Sequence, residues 1–201
     1  METDYKKQSL HFLDLSHKYL QLSANLIGEM IKNENACVLV SNYTKEVNIH
    51  KEHDKKTEYS DFNIMVPLLF NLYHGLELYI KGLMLLLGKK PELKHSIDEL
   101  LLDFENDPYE LSKILAKYIE LPTKISFIKA YCEINSINTS HEFYMNLRYP
   151  SDRLFENPIE YYQLKYHGED IIDELKEINK DIEHLIKMSI KNHRDKYKSS
   201  T

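Results

Sequence analysis

Between Tyr5 and Lys32 the apolar positions recur in alternating steps of three and four: Leu10, Leu13, His17, Leu20, Ala24, Ile27 and Ile31. That spacing holds one stripe inward and predicts a long amphipathic helix over about 5–32. His17 interrupts the stripe and reads as a hydrogen-bonded boundary residue. The pattern fails over 33–60, where ACVLVSNY is followed by the charge-dense TKEVNIHKEHDKKTEYSD. An extended connector or a partly helical continuation of the first helix is expected there, with its charged half solvated and mobile. Its H-x-x-H pair, His50 and His53, has no third ligand at suitable spacing, so no metal site is expected.

Helical signals resume at Ser60-Asp61, a capping pair, and at Pro67, a residue tolerated only in a first turn. The run PLLFNLYHGLELYIKGLMLLL then continues to Gly88, Lys89, Lys90 and Pro91, which together make a stop signal. This helix is apolar around most of its circumference and should be central. Shorter helices are predicted at about 95–105, in YELSKILAKYIE ahead of Pro122, in TKISFIKAYCEI and in SHEFYMNLR. Ile171, Leu175, Ile178, Ile182 and Leu185 restore the heptad step and predict a long C-terminal helix. With no strand pattern and no repeat, the chain reads as one all-α domain over 1–201. The expected architecture is an up-and-down helical bundle with long terminal helices around the central one. Exposed apolar edges on the terminal helices predict a homodimer.

Composition narrows the picture. Few glycines (5) and prolines (6) suit long helices. A net charge of −6 gives no global attraction to nucleic acid. Two cysteines without a paired framework, Cys37 and Cys132, suit a reducing, cytoplasmic setting, with Cys132 read as buried and structural. The longest apolar stretch, Ile64 to Leu87, carries Asn71, His74, Glu77 and Lys81, so it is expected as a buried helix and not as a membrane span. No phosphate-loop, dinucleotide or zinc-protease motif is present, and no cofactor is expected.

The candidate chemistry lies in two places. On the central helix, Asn71, His74, Glu77 and Lys81 share one sector, with Glu77 four residues ahead of Lys81 in the favourable ion-pair order. The stripe reads first as a solvent face, and otherwise as a polar groove in which His74 exchanges protons. Gly75 and Gly82 flank it and call for a close approach by a helix or a ligand. The second place is NLRYPSDRLF, which holds two of only three arginines, Arg148 and Arg153. A guanidinium grips a carboxylate or phosphate with two parallel bonds, so Arg148 or Arg153 is the expected partner of Glu77. Nearby tyrosines (Tyr144, Tyr149, Tyr161, Tyr162 and Tyr166) read as boundary residues that offer, as the alternative, stacking surface for bases.

FNLYHGLELYIKGLMLLLG, followed by KHSIDELL and then RYPSD, resembles the HEPN superfamily of small helical bundles across residues 61–153. The resemblance implies an all-α bundle, commonly dimeric. It also implies either an RNase of toxin–antitoxin and phage-defence systems or a non-catalytic nucleotide-, RNA- or protein-binding module. The nuclease branch carries an Arg followed by a His after four to six residues. At those distances Arg148 is followed by Arg153, Leu154 and Phe155, so the nuclease motif is absent. The resemblance therefore favours a non-catalytic binding or regulatory module. It carries over Glu77, Lys81, His95, Arg148, Tyr149 and Asp152 as candidate residues of a binding site or polar network; His74 and Arg153 join them from the residue-level reading.

Overall fold

The computed structural model describes residues 2–37, 49–91, 97–102, 111–121, 123–151 and 156–198. The elements are α1 (Glu2–Lys32), α2 (Ile49–Thr57), α3 (Asp61–Leu86), α4 (Ile97–Leu102), α5 (Ser112–Ile119), α6 (Ser126–Ile134), α7 (Ser140–Arg148) and α8 (Ile172–Lys198), with two short 3-10 turns before α8. The protein is all-α, and no strand occurs among the described residues. None of its described helices is long and apolar enough to cross a membrane. Of the expected charged connector over 33–60, residues 49–57 form the helix α2, and 38–48 lie outside the described residues.

Helix α3 is the axis, with eighteen of its residues buried. Helix α1 runs antiparallel to it at very short range. A Cβ added to Gly82 would stand 2.8 Å from Leu13 Cδ2, and one added to Gly75 would stand 3.0 Å from Leu20 Cδ2. The close approach expected of these glycines is therefore made by a helix. On the facing side, Ser9, Ser16 and Ser23 are fully buried at seven-residue intervals, and Ser16 Oγ donates to the Gly75 carbonyl at 2.8 Å. Small residues on both helices admit the backbones, and the stripe is rotated from the one the heptad pattern suggested. Leu13, Leu20 and Ile27 point inward, whereas Leu10 is exposed. Serine is counted as polar in a hydropathy pattern, so the pattern alone slips by one position.

The arrangement also departs from simple up-and-down order. Asp61 lies beside His167, and Tyr79 donates from its hydroxyl to the Leu185 carbonyl at 2.9 Å. Helices α3 and α8 consequently run in the same direction, and α4–α7 make the long crossover that this requires. The C-terminal heptad performs as expected, with Leu175, Ile178, Ile182 and Leu185 of α8 and Ile171 of the 3-10 turn before it all buried. The stop after α3 also forms as expected: Gly88 takes φ +80°, and Lys89 N–H donates to the Met84 carbonyl at 2.8 Å.

At the start of α3 the capping pair divides its labour differently from expectation. Ser60 occupies the cap position, but its hydroxyl donates backward to the Thr57 carbonyl at 2.8 Å. Asp61 is fully buried and knots three chain segments. Its carboxylate accepts from Tyr166 N–H (3.0 Å), His167 N–H (2.7 Å) and Asn35 Nδ2 (3.0 Å). Asn35, left-handed at φ 47° just past α1, returns the contact by accepting from Asp61 N–H at 2.7 Å. Cys37 Sγ donates to the same carboxylate at 3.1 Å, and burial, then that contact, pushes its thiol up to about 11.

His17 sits at the α1–α8 boundary as expected, its Nε2 2.5 Å from Ser189 Oγ. Burial holds its pKa below the ordinary imidazole value of 6.5, with Asp14 pulling weakly the other way. His193 on α8 is shifted in the same direction by burial. With folded pKa values lowered, the unfolded chain takes up protons first as pH falls. Stability is then complete above the unfolded value and is lost as pH drops below it. Urea midpoints should fall between about pH 7 and about pH 5, and His17→Gln should flatten part of that slope. An unaltered slope would remove His17 from the account.

Candidate functional site

The polar stripe on α3 turns inward where a solvent face was expected. Glu77 is 2% exposed and Lys81 7%, and Lys81 Nζ reaches Glu77 Oε1 at 2.6 Å. One turn earlier, His74 Nδ1 lies 3.7 Å from Glu77 Oε2 and 2.9 Å from the Tyr144 hydroxyl on α7. Withdrawing such charges from water costs several kcal/mol per ion unless they pair closely, and here the i, i+4 spacing delivers the pair.

Aromatic rings surround the imidazole. Phe70, His74 and Tyr144 lie in nearly parallel planes, 2° between the first two and 12° between the last two, and Tyr19 from α1 meets His74 edge-on at 4.6 Å. Burial, then the Glu77 charge, raises the Tyr144 phenol to about 12, with Arg148 opposing. The hydroxyl therefore remains protonated at neutral pH and available for hydrogen bonding.

Arg148 closes the cluster on the outside. Its guanidinium carbon stands 5.7 Å from the Tyr144 ring centre and 5.3 Å from that of Tyr149, within cation–π range. Among the described residues it pairs with no carboxylate, and Glu77 is held by Lys81, so the expected bidentate Arg148–Glu77 bond does not form. Arg148 joins the network through Tyr144. Among the described residues its polar contact is a weak one, Nη1 to Met145 Sδ at 3.9 Å.

The frame around this ledge is firmly held. Thr139 and Glu142 form a capping box at the start of α7, and the Asp98 carboxylate accepts from Ser140 and His141 N–H at 3.2 and 3.1 Å. Past Arg148, the Tyr161 hydroxyl donates to the carbonyls of Asn146 and Tyr149, while Ile159 N–H donates to the Pro150 carbonyl at 3.0 Å. A bridge between Ser151 and Pro158 completes the turn.

The structure thus brings together five sequence-predicted residues: His74, Glu77, Lys81, Arg148 and Tyr149. His95, Asp152 and Arg153 lie outside the described residues. Phe70 and Tyr19 were missed as site residues. Phe70 is legible in hindsight four positions before His74, but Tyr19 becomes part of the site only through the α1–α3 packing. No group of three potential metal ligands occurs among the described residues. Comparison with family models, with curated proteins and with solved structures finds no match to this chain.

Proposed function

We propose that the chain is a non-catalytic, HEPN-like binding or regulatory module, homodimeric and cytoplasmic, with the Arg148 ledge as its ligand-facing site. The setting suggested by the sequence resemblance is bacterial stress or phage defence. The observation that carries the proposal is the state of Arg148: exposed, steadied over two tyrosine rings, and with no carboxylate on its donors among the described residues. A guanidinium whose faces lie on rings keeps its edge N–H groups available for an anion, such as the phosphate of a nucleotide or RNA strand or an acidic group of a protein partner. Behind it, the His74–Tyr144 hydrogen bond, with the buried Lys81–Glu77 pair beside it, holds the Tyr144 ring that steadies the fork.

Titration calorimetry with AMP, a short oligoribonucleotide and inorganic phosphate tests this reading. Binding should weaken at least about tenfold in Arg148→Ala, from loss of a charge-assisted bidentate contact. Arg148→Lys should fall between, and Arg194→Ala should bind normally. Equal affinity of Arg148→Ala for every probe would overturn the assignment of the site.

A second reading, an RNase or nucleotide-processing enzyme with a non-standard site, draws on the convergence of His74, Tyr144 and Glu77. An imidazole beside a phenol and a carboxylate has the makings of a proton carrier. It requires cleavage by the wild-type chain that His74→Ala abolishes; binding without cleavage favours the first reading.

A further inference from the structure

Helix α1 carries a second heptad seam, one position behind the line that faces α3. Phe12, Leu15, Tyr19, Leu22 and Leu26 follow the same alternation of three and four. Leu15 and Leu22 are 44% and 45% exposed, and Phe12, Tyr19 and Leu26 are half-buried. His17, which meets α8, lies about half a turn away on the helix, so α8 leaves this seam open. Beside it stand Phe70 and His74 of α3, making the face two helices wide.

We infer that this face is the surface through which the chain pairs with a second copy of itself, α1 against α1 in antiparallel register. The inference specifies the homodimer of the preceding reading and rests on it. Three observations favour a second copy as the occupant. The heptad spacing fits a helix of the same period. Read backward about Tyr19, the seam also meets itself: Phe12 falls beside Leu26 of the second copy, Tyr19 beside its own counterpart, and Leu15 within one residue of level with Leu22. An isologous interface requires this kind of self-complementarity.

A flank that mixes Asp14, Lys18 and Glu29 lacks the basic border of a membrane-binding helix. The third observation is size. Fourteen helical steps span about 21 Å, and two helices side by side are about 20 Å wide, giving roughly 400 Å² of projected face per copy. With side-chain relief the pair buries roughly 1,000 Å² in total, at the lower edge of specific interfaces, which predicts a concentration-dependent dimer. Since Tyr19 lies edge-on to His74, the two ledges would flank the dimer seam.

Sedimentation equilibrium on the full chain decides the matter. The mass should rise with concentration toward twice the 23.9 kDa of one chain. Leu15→Glu with Leu22→Glu should remain at one chain mass with unaltered helicity and melting temperature, because both side chains already face water. Leu10→Glu with Ile190→Glu, at other exposed apolar positions, should dimerise like the wild type. A wild type that stays monomeric through the high-micromolar range overturns both the homodimer and the seam. A dimer that survives Leu15→Glu with Leu22→Glu overturns the seam and leaves the homodimer standing. Ligand affinity at Arg148 is read separately, so neither result is confused with failure of the ledge.

Discussion

Asp61→Ala should cost about 4 kcal/mol of stability, more than any other single substitution considered, and lower the melting temperature by about 12 °C for a chain of this size. The carboxylate is fully buried and is the shared acceptor for Tyr166 N–H, His167 N–H and Asn35 Nδ2. Alanine leaves the buried Asn35 amide and the part-buried Tyr166 and His167 N–H groups without their acceptor, and hydrogen bonds to a charged group contribute about 1.5–3 kcal/mol each. The negative charge itself is stabilised where it sits, at the first residue of α3, by the positive end of the helix dipole. Asp61→Asn should cost less, about 2 kcal/mol, since it keeps one acceptor oxygen while turning an amide donor toward donors. Asn35→Ala should be coupled to it, with the double mutant less destabilised than the sum of the singles by about 1 kcal/mol or more. Thermal and urea unfolding followed by circular dichroism measure all of these. A loss below about 1 kcal/mol in Asp61→Ala would mean that the knot does not hold α1, α3 and the approach to α8 together.

The knot also marks where sequence reasoning stopped. Helix existence was legible wherever a period was sustained, as in Ile171 to Leu185, and wherever a local stop was written, as at Gly88 to Pro91. These signals are local, and local chemistry produces them. Asp61 was legible only as a cap, because its real partners lie 26, 105 and 106 residues away. The phase of α1 slipped for a related reason. Ser9, Ser16 and Ser23 are inward because Gly75 and Gly82 admit a close neighbour, so the meaning of one helix's serines is set by another helix's glycines.

The candidate site was half legible for the same physical reason. His74, Glu77 and Lys81 share a face by helical spacing alone, and the Lys81–Glu77 bond follows from four-residue geometry. Whether that face met water or protein depended on packing, and packing decided for protein. The scarcity of arginine directed attention to Arg148, but its expected carboxylate was already taken by the nearer Lys81. A flexible lysine one turn away loses little entropy in reaching Glu77, whereas Arg148 sits on another helix and settles on the tyrosine faces beside it. The difference leaves a guanidinium on the surface, and that is what makes a ligand-facing reading possible.

Lys81→Met tests whether the buried pair serves stability or the site. Removing the ammonium leaves Glu77, 2% exposed, without the cation 2.6 Å from its carboxylate, and the expected loss is about 3 kcal/mol in urea unfolding. Glu77→Leu combined with Lys81→Met removes both charges, and buried pairs replaced by well-packed apolar side chains are often neutral or even stabilising. The double variant should therefore return to within about 1 kcal/mol of the wild type, a coupling of about 2 kcal/mol or more. Its stability would then make the binding measurement interpretable. Tyr144 would lose the Glu77 charge that helps to raise its phenol, so the pKa read from its ultraviolet titration should fall from about 12. His74 would lose the carboxylate 3.7 Å away. If the pair exists to set Tyr144, through His74, beneath Arg148, the stable double variant should bind the anionic probes more weakly than the wild type. A double variant that is both stable and fully competent to bind would show that the ion pair contributes nothing to the ledge, and that Arg148 and its tyrosines suffice.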